Sequence, residues 1–175
     1  MTADILNPIS SQKYSRWKDG LVVEPFLTDD VMDLKLWDKH TDSRYKHYDF
    51  SLFKSDEIFH KWYKLKTARG KKLFAIKTEG KVRGFISLRD FNVFKTSATM
   101  GIVMDPAYIS KGLGQRALKL FLEIYFEEMN CKTLKLKVSD FNTRAKHVYE
   151  KTGFEYLSSQ IEPFENQVNP FPLLI

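Results

Sequence analysis

Ile109-Ser110-Lys111-Gly112-Leu113-Gly114-Gln115-Arg116-Ala117 places a Gly-x-Gly turn directly ahead of a helix. Upstream of it, Ala98 to Met104 reads as a strand that Asp105-Pro106 closes. Downstream, Leu118, Phe121, Leu122, Tyr125 and Met129 recur at helical spacing as far as about Asn130. A glycine turn at a helix start presents several backbone N–H groups to one point, and the helix dipole adds partial positive charge there. Lys111 and Arg116 add full charges, so the turn suits a phosphate or pyrophosphate. Taken alone, Gly112 and Gly114 serve equally well as a tight turn.

After the helix, Thr133 to Ser139 alternates strictly, with Leu134, Leu136 and Val138 against Lys135 and Lys137. That is a half-buried strand, and strand–helix–strand in this order predicts two parallel neighbours. Before the turn, Leu73 to Thr78 and Val82 to Asp90 are joined by Glu79-Gly80-Lys81, a hairpin signal. Further upstream, Leu21 to Leu27 reads as a short strand, and Thr28 or Asp29 caps a helix through Val31, Leu34 and Trp37. A second helix is predicted from Ser55 to Thr67, with Ile58, Trp62 and Leu65 on one face. The last helix runs from about Thr143 to Thr152 and ends at Gly153. Glu155 to Ile161 is a candidate for one more strand, and Pro163, Pro170 and Pro172 break the tail. The expected organisation is an arm over 1–20, one domain over 21–162 and a tail over 163–175, in an α+β plan around a mixed sheet.

The 175 residues are 43% hydrophobic and 29% charged, as in an ordinary soluble domain. No apolar run approaches the roughly 20 residues of a membrane span, and Met1-Thr2-Ala3-Asp4 does not open a secretory signal, so a cytoplasmic protein is expected. The single Cys131 excludes an internal disulfide framework and a cysteine-rich metal site. The net charge of +6 suits an anionic partner. Lys132, Lys135, Lys137, Arg144, Lys146 and Lys151 face only Asp140 and Glu150 in the stretch beside the turn, where a polyanionic cofactor would benefit.

Gly112-Leu113-Gly114-Gln115-Arg116-Ala117 also fits the dinucleotide fingerprint G-x-G-x-x-A, with Asp140 as a ribose acid. A dinucleotide fold opens with that unit, whereas here it follows an antiparallel meander. A P-loop is excluded, because no G-x-x-x-x-G-K-[ST] occurs.

The segment from Val138 to Phe154 carries Asn142, Ala145, Tyr149 and Gly153-Phe154. It closely resembles the acyl-CoA-binding signature of the GNAT superfamily of N-acyltransferases. Gly112-Leu113-Gly114 resembles that family's pyrophosphate motif, and Gly101-Ile102-Val103-Met104-Asp105-Pro106 its central strand. The likeness is strong over 73–157 and generic over 21–68. One departure stands out: Ile109 occupies the place of the family's Gln or Arg, three residues before Gly112, so Lys111 or Arg116 would have to compensate.

The resemblance implies a GNAT-like mixed, mostly antiparallel sheet with a central splayed parallel pair, flanked by helices. It implies direct transfer of an acetyl group from acetyl-CoA to a primary amine, without a metal. Tyr149 is then the candidate acid that protonates the leaving thiolate. The backbone of Val103 and Met104 would pair with pantetheine, as an added strand does. Ile109, Ser110, Lys111, Gly112, Leu113, Gly114 and Gln115 would hold the pyrophosphate, with Asn142 and Ala145 beside Tyr149 on one helix face. Asn142 is also a natural N-cap for the last helix, and Tyr149 by itself could be a packed core aromatic.

No carboxylate lies on the central strand, which leaves the base open among Asp90, Glu79, Asp105, His47, His60 and a water chain. An α-amine with a pKa of about 8 needs little help. His147 is two positions from Tyr149 and reads as solvated. The aromatic residues Trp37, Tyr45, Tyr48, Phe50, Phe53, Phe59, Trp62 and Tyr63 would form core or line an acceptor pocket. The acceptor would be a small-molecule amine or a protein or peptide amine. No membrane partner is expected, no nucleic-acid motif stands out, and a homodimer is compatible with the pattern. The rival is a non-catalytic acyl-CoA-binding or basic interaction module.

Overall fold

The computed structural model describes residues 13–161; the tail and most of the predicted arm lie outside the described residues. Six strands form one sheet in sequence order: β1 Arg16–Lys18, β2 Leu21–Pro25, β3 Lys72–Thr78, β4 Lys81–Arg89, β5 Ser97–Met104 and β6 Thr133–Leu136. β1 to β5 are an antiparallel meander, and β5 and β6 are parallel. Three helices flank the sheet: α1 Asp56–Thr67, α2 Leu113–Glu123 and α3 Thr143–Lys151.

Alternation along the strands divides the interior into two cores. On one face Phe74, Ile76, Ile86, Leu88, Ala98 and Met100 meet Ala117, Leu118, Phe121 and Tyr125 of α2 and its extension. On the other, Leu73, Ala75, Val82, Phe85 and Val103 meet Phe26, Val31, Leu34, Phe50, Phe59 and Trp62. With both faces covered, β3 carries the unbroken apolar run Leu73 to Ile76, which is how a buried strand looks in sequence.

Four local features differ from the sequence reading. Arg16–Lys18, inside the presumed arm, pairs with β2 as an edge strand, and Arg16 is ion-paired with Glu123, Glu127 and Glu128. A three-residue strand is too short to show a period. The predicted first helix is a 3₁₀ segment over Asp29–Leu36. Its carboxylates are drawn into tertiary bonds: Asp33 accepts from the Val82 N–H at 2.9 Å, and Asp30 pairs with Lys77 at 2.7 Å.

The helix after the glycine turn begins at Leu113, and over Ile124–Glu128 it widens into a π turn in which Met129 N–H donates to Ile124 C=O at 2.9 Å. Finally, β6 stops at Leu136, and Glu155 to Ile161 is not a strand. Tyr156, Leu157 and Ile161 are more than 80% exposed, so apolar composition there has no face to pack against.

Candidate active site

The pairing of β5 with β6 ends at Met100 and Leu136, although β5 continues to Met104. Over Gly101 to Met104 the strand keeps its β4 partners, Ser87 to Gly84, and faces no strand on the other side. Half of the N–H and C=O groups of that stretch therefore point into a wedge between diverging strands. Val103 is buried in the aromatic core, and the Met104 side chain lies over Gly84 and beside Gly114.

The wedge opens onto the glycine turn. Asp105 caps a short turn over Pro106–Tyr108, its Oδ1 accepting from Ala107 N–H at 3.0 Å. Ile109 is extended, Ser110 has φ 62° and Gly112 has φ 76°, so two left-handed residues flank Lys111. This curls the chain into the start of α2, where the first intrahelical bond at the turn is Arg116 N–H to Gly112 C=O at 3.1 Å. The N–H groups of Leu113, Gly114 and Gln115 have no intrahelical acceptor there. Side-chain compensation for Ile109 is narrower than expected. Arg116 donates to the carbonyls of Lys18 and Asp19 at 3.4 and 3.0 Å and is committed to the β1–β2 turn. Lys111 remains, with its Nζ 5.4 Å from the Tyr108 ring centroid.

After β6, Asn142 caps α3, its Oδ1 accepting from Ala145 N–H at 3.2 Å and from the Tyr45 hydroxyl at 3.4 Å. Tyr149 is partly buried, with its ring centroid 5.8 Å from that of Phe154, and packs at the margin of the core on the α2 side of the sheet. Burial, reinforced by Tyr48, pushes its hydroxyl well above the usual phenol range. It is protonated at neutral pH and thus has a proton to give. His147 is exposed, as the helix spacing predicted.

The remaining wall comes from residues 38–49, which sequence reasoning did not single out as a unit. Asp38 N–H donates to Asp105 Oδ1 at 3.4 Å, and His40 N–H to Asp49 Oδ1 at 2.9 Å. The His40 ring lies 5.6 Å from Tyr45 and 6.1 Å from Tyr48. Burial lowers the His40 pKa, and burial pushes Tyr48 up to about 12. The predicted aromatic cluster thus splits: Phe50, Phe53, Phe59 and Trp62 are core, whereas Tyr45 and Tyr48 stand beside α3. No periodicity marks this wall, because its turns are short and held by carboxylate-to-amide bonds.

Of the carboxylates considered as base, Asp105 is 2% exposed, raised by burial and occupied by two amides. Glu79 is exposed in the β3–β4 turn, and Asp90 is exposed at the opposite end of β5. His60 is on α1, and the His47 side chain lies outside the described residues. Among the described residues no cluster of three or more His, Cys, Asp or Glu could hold a metal ion, and no helix is long and apolar enough to cross a membrane.

The described geometry is thus a parallel strand pair that parts beyond Met100 and Leu136, beside a left-handed glycine turn that opens α2. The chain belongs to the acetyltransferase (GNAT) family, whose profile matches residues 32–154. It is 35% identical over 81 residues to spermidine N(1)-acetyltransferase of Escherichia coli strain K12, covering 46% of this chain and 44% of that protein. The corresponding enzyme of Vibrio cholerae is 28% identical over 81 residues, covering 46% and 47%. The matched segment therefore spans less than half the length of these curated relatives. Among solved structures, a chimera of the Vibrio cholerae spermidine N-acetyltransferase SpeG and hSSAT superposes with TM-score 0.69 at 19% identity, covering 87% of this chain and 89% of that one. A GNAT-family acetyltransferase from Bacillus anthracis gives 0.63 at 20% identity, covering 79% and 82%.

Proposed function

We propose that this chain, as a single domain over 21–162, transfers the acetyl group of acetyl-CoA directly to a primary amine, and that the amine is a small cationic one of the polyamine kind. The observation that carries the proposal is the wedge: over Gly101 to Met104, β5 has no strand partner on one side and runs on through Pro106–Tyr108 into the glycine turn. The free groups of Val103 and Met104 suit the amides of a pantetheine arm. The amides of Leu113, Gly114 and Gln115, with those of Ser110, Lys111 and Gly112, suit a pyrophosphate, and Lys111 supplies the charge; the Ile109 N–H is already bonded to Pro106 C=O at 3.3 Å. Asn142 and Ala145 hold the start of α3 against the groove, and Tyr149 gives its proton to the departing sulfur.

The acceptor class is supported by the spermidine acetyltransferases among the sequence relatives and by the negative charge of Asp49 and Asp105 beside the wall that adjoins α3, where Asp42 is already paired with Arg44. Purified protein with acetyl-CoA and a panel of spermidine, putrescine, a lysine-containing peptide and an aromatic amine tests it by thiol release. Rapid release with the polyamines is expected. A thermal shift with acetyl-CoA and no thiol release from any amine would instead identify a binding module.

A further inference from the structure

We infer that His40 is the general base of the reaction, taking the proton of the incoming ammonium. This rests on the acetyl-transfer reading above. Two backbone bonds place the His40 loop and two aromatic rings flank the imidazole. The loop that carries it is pinned by the His40 N–H bond to Asp49 at 2.9 Å and by Asp38 N–H on Asp105. Tyr45 and Tyr48 flank the imidazole, and Tyr45 is itself tied to Asn142 at the start of α3. Tyr48, which contacts the imidazole, is also near enough to Tyr149 to act on its hydroxyl electrostatically.

The charged groups facing His40 are Asp42 and Asp49 from its own wall, Asp105 from the end of β5 and Arg144 from α3. Burial holds His40 neutral while it holds Tyr149 protonated, and two groups pushed apart in this way divide into base and acid. Asp42 is paired with Arg44, so Asp49 and Asp105 are the carboxylates that favour an ammonium beside the ring.

Proton and bond accounting closes. His40 takes one proton from the ammonium and releases it to solvent. The amine nitrogen then forms the C–N bond as the C–S bond breaks, Tyr149 protonates the sulfur, and the second nitrogen proton restores Tyr149.

The test is His40→Gln, assayed with an alkylamine that is charged at neutral pH and with a weakly basic fluorinated amine that is already neutral. General base catalysis is typically worth about 10²–10⁴-fold, so a loss of that order is expected with the charged amine. The neutral amine should lose less than about 5-fold, and the acidic limb of the pH–rate profile should disappear. Equal losses with both amines, or an unchanged acidic limb, would overturn the assignment and leave His40 a wall residue. Absence of wild-type turnover with every amine would overturn the acetyl-transfer reading itself. An unaltered thermal shift with acetyl-CoA shows that the variant is folded.

Discussion

Met104 lies across Gly84 so closely that a Cβ on the glycine would stand 2.5 Å from the methionine sulfur, with Val103 O at 3.0 Å and Ile76 Cδ1 at 3.1 Å. The strand edge that forms the wedge is therefore seated on a neighbour without a side chain. Gly84→Ala should displace Met104 and destabilise the fold by about 1–3 kcal/mol, the range for overpacking. Acetyl-CoA affinity should fall as well, because the backbone beside Met104 moves. Calorimetric melts with and without acetyl-CoA measure both; an unchanged ligand shift would detach the wedge from binding.

The two glycines of the turn separate by conformation. Gly112 has φ 76° with open space around the missing Cβ, whereas a Cβ on Gly114 would meet Met104 at an ordinary 3.6 Å. Gly112→Ala should cost about 1–2 kcal/mol of backbone strain, and Gly114→Ala should be close to neutral for folding. Gly112→Asp and Gly114→Asp should each abolish the thermal shift with acetyl-CoA, by placing negative charge at the pyrophosphate amides. A retained shift in both would put the phosphates elsewhere.

Tyr149→Phe removes one hydroxyl from a ring that keeps its contact with Phe154. Turnover should drop roughly 10–1000-fold with acetyl-CoA affinity nearly unchanged. Steady-state kinetics on the best polyamine, paired with a binding titration, distinguish the two. Wild-type turnover in the variant would remove Tyr149 from the acid role.

Lys77 bridges Glu24 at 2.8 Å and Asp30 at 2.7 Å, and all three side chains are less than 15% exposed. Burial alone would lower the Lys77 pKa, yet the two carboxylates raise it overall. Lys77→Met leaves both acids without their cation and should cost about 3 kcal/mol in urea unfolding. A change below about 1 kcal/mol would show that water reaches the pair.

His40 also makes stability depend on pH. Its folded pKa is below the ordinary 6.5, so as pH falls through that value the unfolded chain takes up the proton first. Folding should weaken progressively below that value, and His40→Gln should flatten this part of the profile. Urea midpoints across the acidic range compare the two proteins; parallel curves would count against a buried neutral imidazole.

Periodicity within single segments was enough to read β3, β4, β5, α1 and α3, and the order of those segments led to the mixed sheet with its parallel pair. Gly112, Gly114, Asn142, Ala145 and Tyr149 were legible as a set only through their resemblance to a family signature; helix spacing added that the last three share a face. The point where β6 leaves β5 was not legible. Leu134, Leu136 and Val138 keep alternating past the last paired residue, because alternation records which face is buried and not whether a neighbouring strand is there to bond. Arg116 read as a phosphate ligand until the β1–β2 turn claimed it. His40 gave no signal at all. Its place beside Tyr48 and Asp105 depends on contacts between residues 38–49, the end of β5 and α3, and such contacts exist only once distant parts of the chain are folded together.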